Sequence, residues 1–412
     1  MQFANTPTNM AQTVSNIIDS YKMGALRALA QEPVQNALDA KRLGHSAVMV
    51  EYRLLKRSTD KVGNCYLLTV TDTGTTGLRG QMVSKEELEA RDFKLKPEEN
   101  WAAFEAQGYS KENEDALGSR GQGKAAFLYH SHIPGQTRRM AMLYDTLLED
   151  GEYRLGMRFA RPVDQVMTPP LFNEEARATI LSDQFPLDDN LAIPLNIEAL
   201  REVGTRVIVP CVNDELAAAM CPGGELSRWL QRCWWRAIQL SKLSIRVVDE
   251  HGASEEIAVP RWWSDLPRIK GKPSPNGSWV QLRDGGRACI WGDLPLEDGY
   301  TIRRLVMLHS DDFEEDEITK DEPEYAGIQI LRGSQWIVTR DARREYYDFI
   351  PREKLAGFRG YVEFDKHTDS ALRAAENSQH DGFGARGNKG KIVRNIRSEL
   401  KKKVCDFSAA MG

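Results

Sequence analysis

The chain has no Cys-x-x-Cys pair. Its six cysteines, at 65, 211, 221, 233, 289 and 405, fall in no Cys/His ligand spacing, which argues against a zinc module or a disulfide framework as the organising device. No apolar run approaches eighteen residues and no charged-then-apolar leader opens the sequence, so the expectation is a cytoplasmic protein without a membrane span. Neither sign of charge dominates: 55 basic against 60 acidic residues leave a net −5, which does not announce a nucleic-acid partner. No internal repeat or extended low-complexity tract is visible. What is left is a chain of 412 residues, 41% hydrophobic and 28% charged, long enough for two domains.

Against these absences stand four polar and glycine segments in the first half of the chain. The first is Glu32-Pro33-Val34-Gln35-Asn36-Ala37-Leu38-Asp39-Ala40. It lies in a stretch from Met23 to Lys41 where Leu26, Leu29, Ala30, Val34, Ala37 and Leu38 recur at spacings of three and four, the period of an amphipathic helix. On that helix Glu32, Asn36 and Asp39 project from one face. A carboxamide oxygen there can hold a hard cation while the neighbouring carboxylate takes a proton from water; a solvated surface stripe is the plainer alternative. Pro33 removes a backbone donor, so a kink beside Glu32 is expected.

The second segment, Asp72-Thr73-Gly74-Thr75-Thr76-Gly77, follows the β-rich run Cys65 to Thr71, whose hairpin partner is Ala47 to Leu54. Asp72 thus ends a strand, and the glycines let the chain turn and a flat ring approach the backbone. An ionised Asp at such a lip can accept a hydrogen bond from an exocyclic amine such as adenine's, or be no more than part of an Asp-Thr-Gly turn. The third segment, Gly118-Ser119-Arg120-Gly121-Gln122-Gly123-Lys124, leads into a helix from Lys124 to His130. Unpaired N–H groups at a helix start make such a loop an anion cradle suited to phosphates, with Lys124 either a point charge or a surface lysine. It is neither a Walker loop nor a dinucleotide fingerprint, because Lys124 precedes no Ser or Thr and no strand leads directly into it. The fourth, Gly204-Thr205-Arg206-Val207-Ile208-Val209, reads as a strand with Thr205 able to point its hydroxyl into the same cleft.

In this order and spacing the four segments resemble the GHKL superfamily of ATPases, which includes the gyrase ATPase subunit, heat-shock chaperones, histidine kinases and MutL, with MORC proteins as relatives. The resemblance covers roughly residues 15 to 250 and is nearest to the MutL, MORC and chaperone-like branch; no His-Glu phospho-acceptor helix supports the kinase branch. It implies an α+β fold: a Bergerat-type ATP-binding α/β sandwich over residues 1–255, with helices on one face of a mixed sheet and a movable lid over about 78–117. It also implies ATP and Mg²⁺ as cofactors. Glu32 would be the catalytic base, and Asn36 the metal ligand. Asp39 would border the nucleotide, Asp72 would take the adenine amine, Gly74 and Gly77 would make room for the base, and Thr205 would touch the adenine side. Gly118, Ser119, Arg120, Gly121, Gln122, Gly123 and Lys124 would wrap the phosphates. Two features depart from the family pattern: an extra residue separates Gly74 from Gly77, and Pro33 follows the base where an aliphatic residue is usual.

The remainder reads as a second α+β domain over 256–412, with the domain junction between 250 and 277. Strands are expected near 279–283, 287–291, 302–308, 326–332 and 359–364, and helices near 367–376 and 391–404. Gly327 to Ile337 followed by Gly360 to Phe364 resembles the transducer domain of gyrase, MutL and MORC. The lysine that such a domain sends to the terminal phosphate has no clear counterpart; Lys389, Lys391 and Gln379 are the candidates. Asp311 to Glu324 is an acidic run, and Arg386 to Lys403 holds eight basic residues and one acid. Ile392, Ile396, Leu400 and Val404 share one face of that stretch, so a docked C-terminal helix with its basic face outward is preferred over a DNA-facing patch. By resemblance, ATP would close the lid and pair two copies into a homodimeric clamp serving a DNA-transaction or anti-phage-defence system with a separate protein effector. A heat-shock-type chaperone and a non-hydrolysing ATP-sensing scaffold are the alternatives.

Overall fold

The structure, a computed structural model, describes residues 9–21, 24–59, 63–81, 83–92, 94–105, 123–133, 140–160, 164–166, 170–182, 185–188, 191–264, 266, 273–283, 285–311, 326–346, 348–377, 382–387 and 390–411. The chain falls into two compact units, Met1–Arg232 with Leu240–Ala258, and Cys233–Gln239 with Val259–Gly412. Both are α+β. No helix among the described residues is long and apolar enough to cross a membrane.

The first unit begins with α1 (Met10–Asp19), started by Asn9, whose side chain accepts from the Gln12 N–H at 3.1 Å. Met10, Ala11, Val14 and Ile18 are its buried stripe. Next comes α2 (Gly24–Asp39), which buries Leu26, Leu29, Ala30, Val34 and Ala37 as the spacing predicts. Helix α2 runs on through Pro33, from Gly24 to Asp39. A proline four residues on leaves the Leu29 carbonyl without its helical donor. The hydroxyl of Tyr52, on the strand below, donates to that carbonyl at 3.0 Å and supplies the missing bond.

The hairpin partners are β1 (Val48–Thr59) and β2 (Gly63–Thr73), paired antiparallel so that Val50, Tyr52 and Leu54 stand opposite Asp72, Val70 and Leu68. Val48, Val50, Tyr52 and Leu54 are buried in strict alternation, the mark of a strand face pressed on a helix. Short helices α3 (Lys85–Ala90), α4 (Asn100–Glu105) and α5 (Lys124–Leu128) follow. Then come β3 (Met140–Leu147), β4 (Tyr153–Ala160), β5 (Asp164–Val166), β6 (Leu171–Phe172), α6 (Asn173–Ile180), β7 (Phe185–Asp188) and β8 (Leu191–Ile193). The unit's later elements are β9 (Gly204–Pro210), α7 (Asp214–Ala219), β10 (Leu243–Val248) and β11 (Ser254–Glu256), while α8 (Glu225–Gln239) starts in this unit.

Among the described residues nine strands join in one sheet, in the order β11-β10-β1-β2-β9-β3-β4-β5 with β6 also on β4. The β1–β10 pair is parallel and the other pairs antiparallel, so the sheet is mixed. One sheet face carries Tyr52 against α2. The other carries Leu67, Leu143, Leu155 and Ile208 in a core completed by Ala176 and Ile180 of α6.

The second unit holds a six-stranded sheet in the order β12-β13-β14-β17-β15-β16. These strands are β12 (Ser278–Gln281), β13 (Arg287–Pro295), β14 (Thr301–His309), β15 (Gly327–Arg332), β16 (Gln335–Asp341) and β17 (Phe358–Phe364). The expected strands near 279, 287, 302, 326 and 359 are present, but the run from Gly327 to Ile337 is a hairpin that turns at Gly333, where φ is +67°. The helix Lys391–Met411 buries Ile392, Ile396, Leu400, Val404 and Phe407 in this unit's core, and Arg394, Lys401 and Lys402 are exposed. Lys391 pairs with Asp298 at 2.8 Å; Gln379, Lys389 and the acidic residues 312–324 lie outside the described residues.

Candidate active site

Strand register assembles the floor of the site. Ile245 of β10, Val50 of β1, Asp72 of β2, Thr205 of β9, Thr146 of β3 and Arg154 of β4 are consecutive cross-strand partners. Paired residues share a face, so this row lies on the α2 side of the sheet, apolar at one end and polar from Asp72 onward. Asp72 Oδ1 accepts from the Thr205 N–H at 3.1 Å and from the Thr75 hydroxyl. No donor among the described residues reaches Oδ2. Gly204, next in β9, packs so closely that a Cβ on it would lie 2.0 Å from the Asp72 carbonyl oxygen.

The loop after β2 is held by polar residues from three other elements. Gly74 and Gly77 have φ of +76° and +63°, a region other residues rarely adopt, and a Cβ on Gly77 would meet Thr146 Oγ1 at 2.6 Å. Thr146 accepts from the Leu78 N–H at 2.9 Å and donates to the Gly204 carbonyl at 2.7 Å. Asn100 Nδ2 of α4 donates to Thr76 Oγ1 at 2.9 Å and to the Gly77 carbonyl at 3.1 Å. Arg154 donates to the carbonyls of Leu78 and Gly80. The end of α2 is tied to the same loop, with Thr76 N–H to Ala40 O at 2.9 Å and Arg42 N–H to Gly74 O at 3.0 Å.

Above this loop α2 presents the acid and the amide. Glu32 is buried, Asn36 is exposed and Asp39 is half-buried. Gly123 closes on the first two: a methyl on its Cα would stand 2.9 Å from Glu32 Oε2 and 3.2 Å from Asn36 Nδ2. The last glycine of the third segment therefore meets the polar face of the first. Gly118, Ser119, Arg120, Gly121 and Gln122 lie outside the described residues. Lys124 is buried, not a surface lysine, and its Nζ donates to the Phe104 carbonyl at 2.5 Å. Helix α4, in the stretch read as a lid, is seated by Trp101 and Phe104 against Tyr144 of β3, with ring centroids at 5.7 and 4.8 Å. Residues 106–117 of that stretch are outside the described ones.

No protein-family model matches this chain, and a search of the curated proteins finds no match either. Burial raises the Asp72 carboxyl to about 6, with the Thr75 hydroxyl and Thr205 N–H pulling the other way. Burial also lowers His130, just after α5, to about 4, so its ring is neutral at physiological pH. A further buried polar group lies on α2 itself: Gln35 is wholly enclosed, and among the described residues neither of its amide atoms has a hydrogen-bond partner.

Thr146, Asn100, Arg154 and Tyr21 give no local sign of their part in the site. Tyr21 follows α1 and donates from its hydroxyl to Glu32 Oε1 at 2.7 Å. Such contacts become visible only when register and helix packing are known. Among the described residues no cluster of three or more His, Cys, Asp or Glu side chains could cage a metal ion. Asn36 offers a single carboxamide oxygen, which suits a hard cation that keeps most of its ligands from water and phosphate, the habit of Mg²⁺.

Proposed function

We propose that this chain binds ATP with Mg²⁺ and hydrolyses it in the manner of GHKL ATPases, on a Bergerat-type first domain followed by a transducer-like second one. The observation that carries the reading is the meeting of Gly123 with Glu32 Oε2 and Asn36 Nδ2, which sets the end of a glycine segment against an acid and an amide. The row containing Asp72 and Thr205 supports it, because a carboxylate gripped at one oxygen keeps the other for an amine donor. In this reading Asp72 takes the adenine amine. Thr205 lies beside the base, and Gly74 and Gly77 give it room. The glycine segment ending at Gly123 cradles the phosphates, and Asp39 borders the nucleotide.

Glu32 then takes the proton of the attacking water. Water oxygen bonds to the terminal phosphorus, the bond from that phosphorus to the bridging oxygen breaks, and ADP leaves with the electron pair. Asn36 holds Mg²⁺, which when bound neutralises charge on the phosphates. Lys124, directed at the Phe104 carbonyl, links the start of α5 to the lid stretch, and nucleotide occupancy is read out there as lid closure and pairing of two copies. The clamp so formed serves a DNA-transaction or defence-type process through a protein effector.

Phosphate release tests the reading. Wild type should turn over ATP slowly, and Glu32→Ala should lose about a hundredfold or more in rate while still binding nucleotide. Stimulation by duplex DNA would place the clamp on DNA. Light scattering with a non-hydrolysable analogue should show a dimer; dimerisation with identical, negligible release by both proteins would select the ATP-sensing scaffold instead.

A further inference from the structure

We infer that Tyr21 is a positioning residue for Glu32 and determines which carboxylate oxygen works as the base; this rests on the reading of Glu32 given above. The two side chains come from different elements. Tyr21 stands just past the end of α1, its N–H bonded to the Ile18 carbonyl at 3.0 Å, and Glu32 is in the middle of α2. Their contact, hydroxyl to Oε1 at 2.7 Å, is enclosed, with 4% of Tyr21 and 7% of Glu32 exposed.

A carboxylate has two equivalent oxygens and a soft terminal torsion, so an unrestrained glutamate presents either oxygen in many directions. The phenol removes that freedom. With Oε1 occupied by a neutral donor, Oε2 is the oxygen left to face the glycine segment, 2.9 Å from where a Gly123 methyl would stand. That is the side on which the terminal phosphoryl group is expected. The proton of the attacking water therefore passes to Oε2, as the new bond to phosphorus forms and ADP departs. Tyr21 exchanges no proton in the step. Its contribution is orientation, which is worth most where a small misplacement of a reacting group is expensive.

The same contact makes α1 part of the site without touching nucleotide. Met10, Ala11, Val14 and Ile18 anchor that helix, so the phenol is placed by packing of a separate element and not by α2 itself.

The test is Tyr21→Phe in the full chain, which keeps the ring and deletes the hydroxyl. Turnover should fall about ten- to a hundredfold, with the dissociation constant for a non-hydrolysable ATP analogue within about twofold of wild type. Wild-type turnover in the variant would overturn the inference, and so would weakened analogue binding accompanying the fall, which would make Tyr21 a structural residue only. If Tyr21→Phe proves too unstable to assay, Tyr21→Met should show the same loss of turnover with analogue binding retained. Failure of the underlying reading looks different: wild type itself would bind no analogue, or would release phosphate as fast with Glu32→Ala, and the role of Tyr21 would fall with it.

Discussion

In the second unit, Trp235 Nε1 donates to Gln329 Oε1 at 2.8 Å, and Arg236 closes on both oxygens of Glu363 at 2.7 and 2.8 Å. In the first unit, the described residues grip Asp72 at Oδ1 alone. The first unit also contains its own contrast, since Asp145 on β3 is fully buried yet meets Arg206 through both oxygens at 2.9 and 2.6 Å and accepts from the Tyr153 hydroxyl as well. Asp145 and Asp72 are carboxylates of one sheet, on strands β3 and β2 that flank β9, and the difference between them is closure. A buried charge whose valences are all met by the protein has finished its work on folding. The described residues hold the other, Asp72, at one oxygen only, and burial raises its proton affinity.

Breaking the closed case should give the largest effect on stability. Arg206→Ala strands Asp145 without a counter-charge and should cost about 3–5 kcal/mol, read from denaturant unfolding of the nucleotide-free protein. Asp72→Asn should act oppositely on stability and binding. The folded state binds the Asp72 proton more tightly than the unfolded chain does, so the carboxyl's contribution is lost as pH rises from about 4 to about 6. The asparagine variant escapes that loss and should be more stable than wild type well above pH 6 by about 3 kcal/mol, with the fall between pH 4 and 6 flattened. It should also lose about a hundredfold in ATP affinity, because an amide no longer offers the amine an ionised acceptor. A variant that keeps full affinity would break the distinction between the two aspartates. The smallest effect is expected at Gln35, whose enclosed amide makes no bond among the described residues; Gln35→Met should raise stability by about 1 kcal/mol in thermal unfolding. A loss instead would mean that the amide has a use.

Much of the frame is legible from residue order. The spacing of Leu26, Leu29, Ala30, Val34 and Ala37 marks α2, and the alternation in β1 and the turn after β2 put Asp72 at a strand end. The continuity of α2 through Pro33 is not legible, because the compensating donor is the Tyr52 hydroxyl on another element. Helix α1 does carry signals, an Asn9 cap and apolar residues at 10, 14 and 18, but no chemical motif marks it. Strands β5 to β8 run only two to four residues, too short for alternation to show. At the site, Glu32, Asn36 and Gly123 are drawn together as their motifs suggest, and so are Asp72 and Thr205. Thr146 and Arg154 enter through pairings with β9 and β3, and Tyr21 through the packing of α1; no local composition encodes such neighbours.

Gly204 has a consequence for how this chain can change. Its bare Cα rests on the Asp72 carbonyl, and no residue with a side chain can take that place without parting the two strands. The glycine therefore indexes β9 against β2 like a notch on a ruler. Lengthening a surface connection leaves that notch alone, whereas deleting Arg206 would invert the downstream faces of β9 and send Val207 and Val209 to the wrong side. Loops here are free to drift in length; this strand is not.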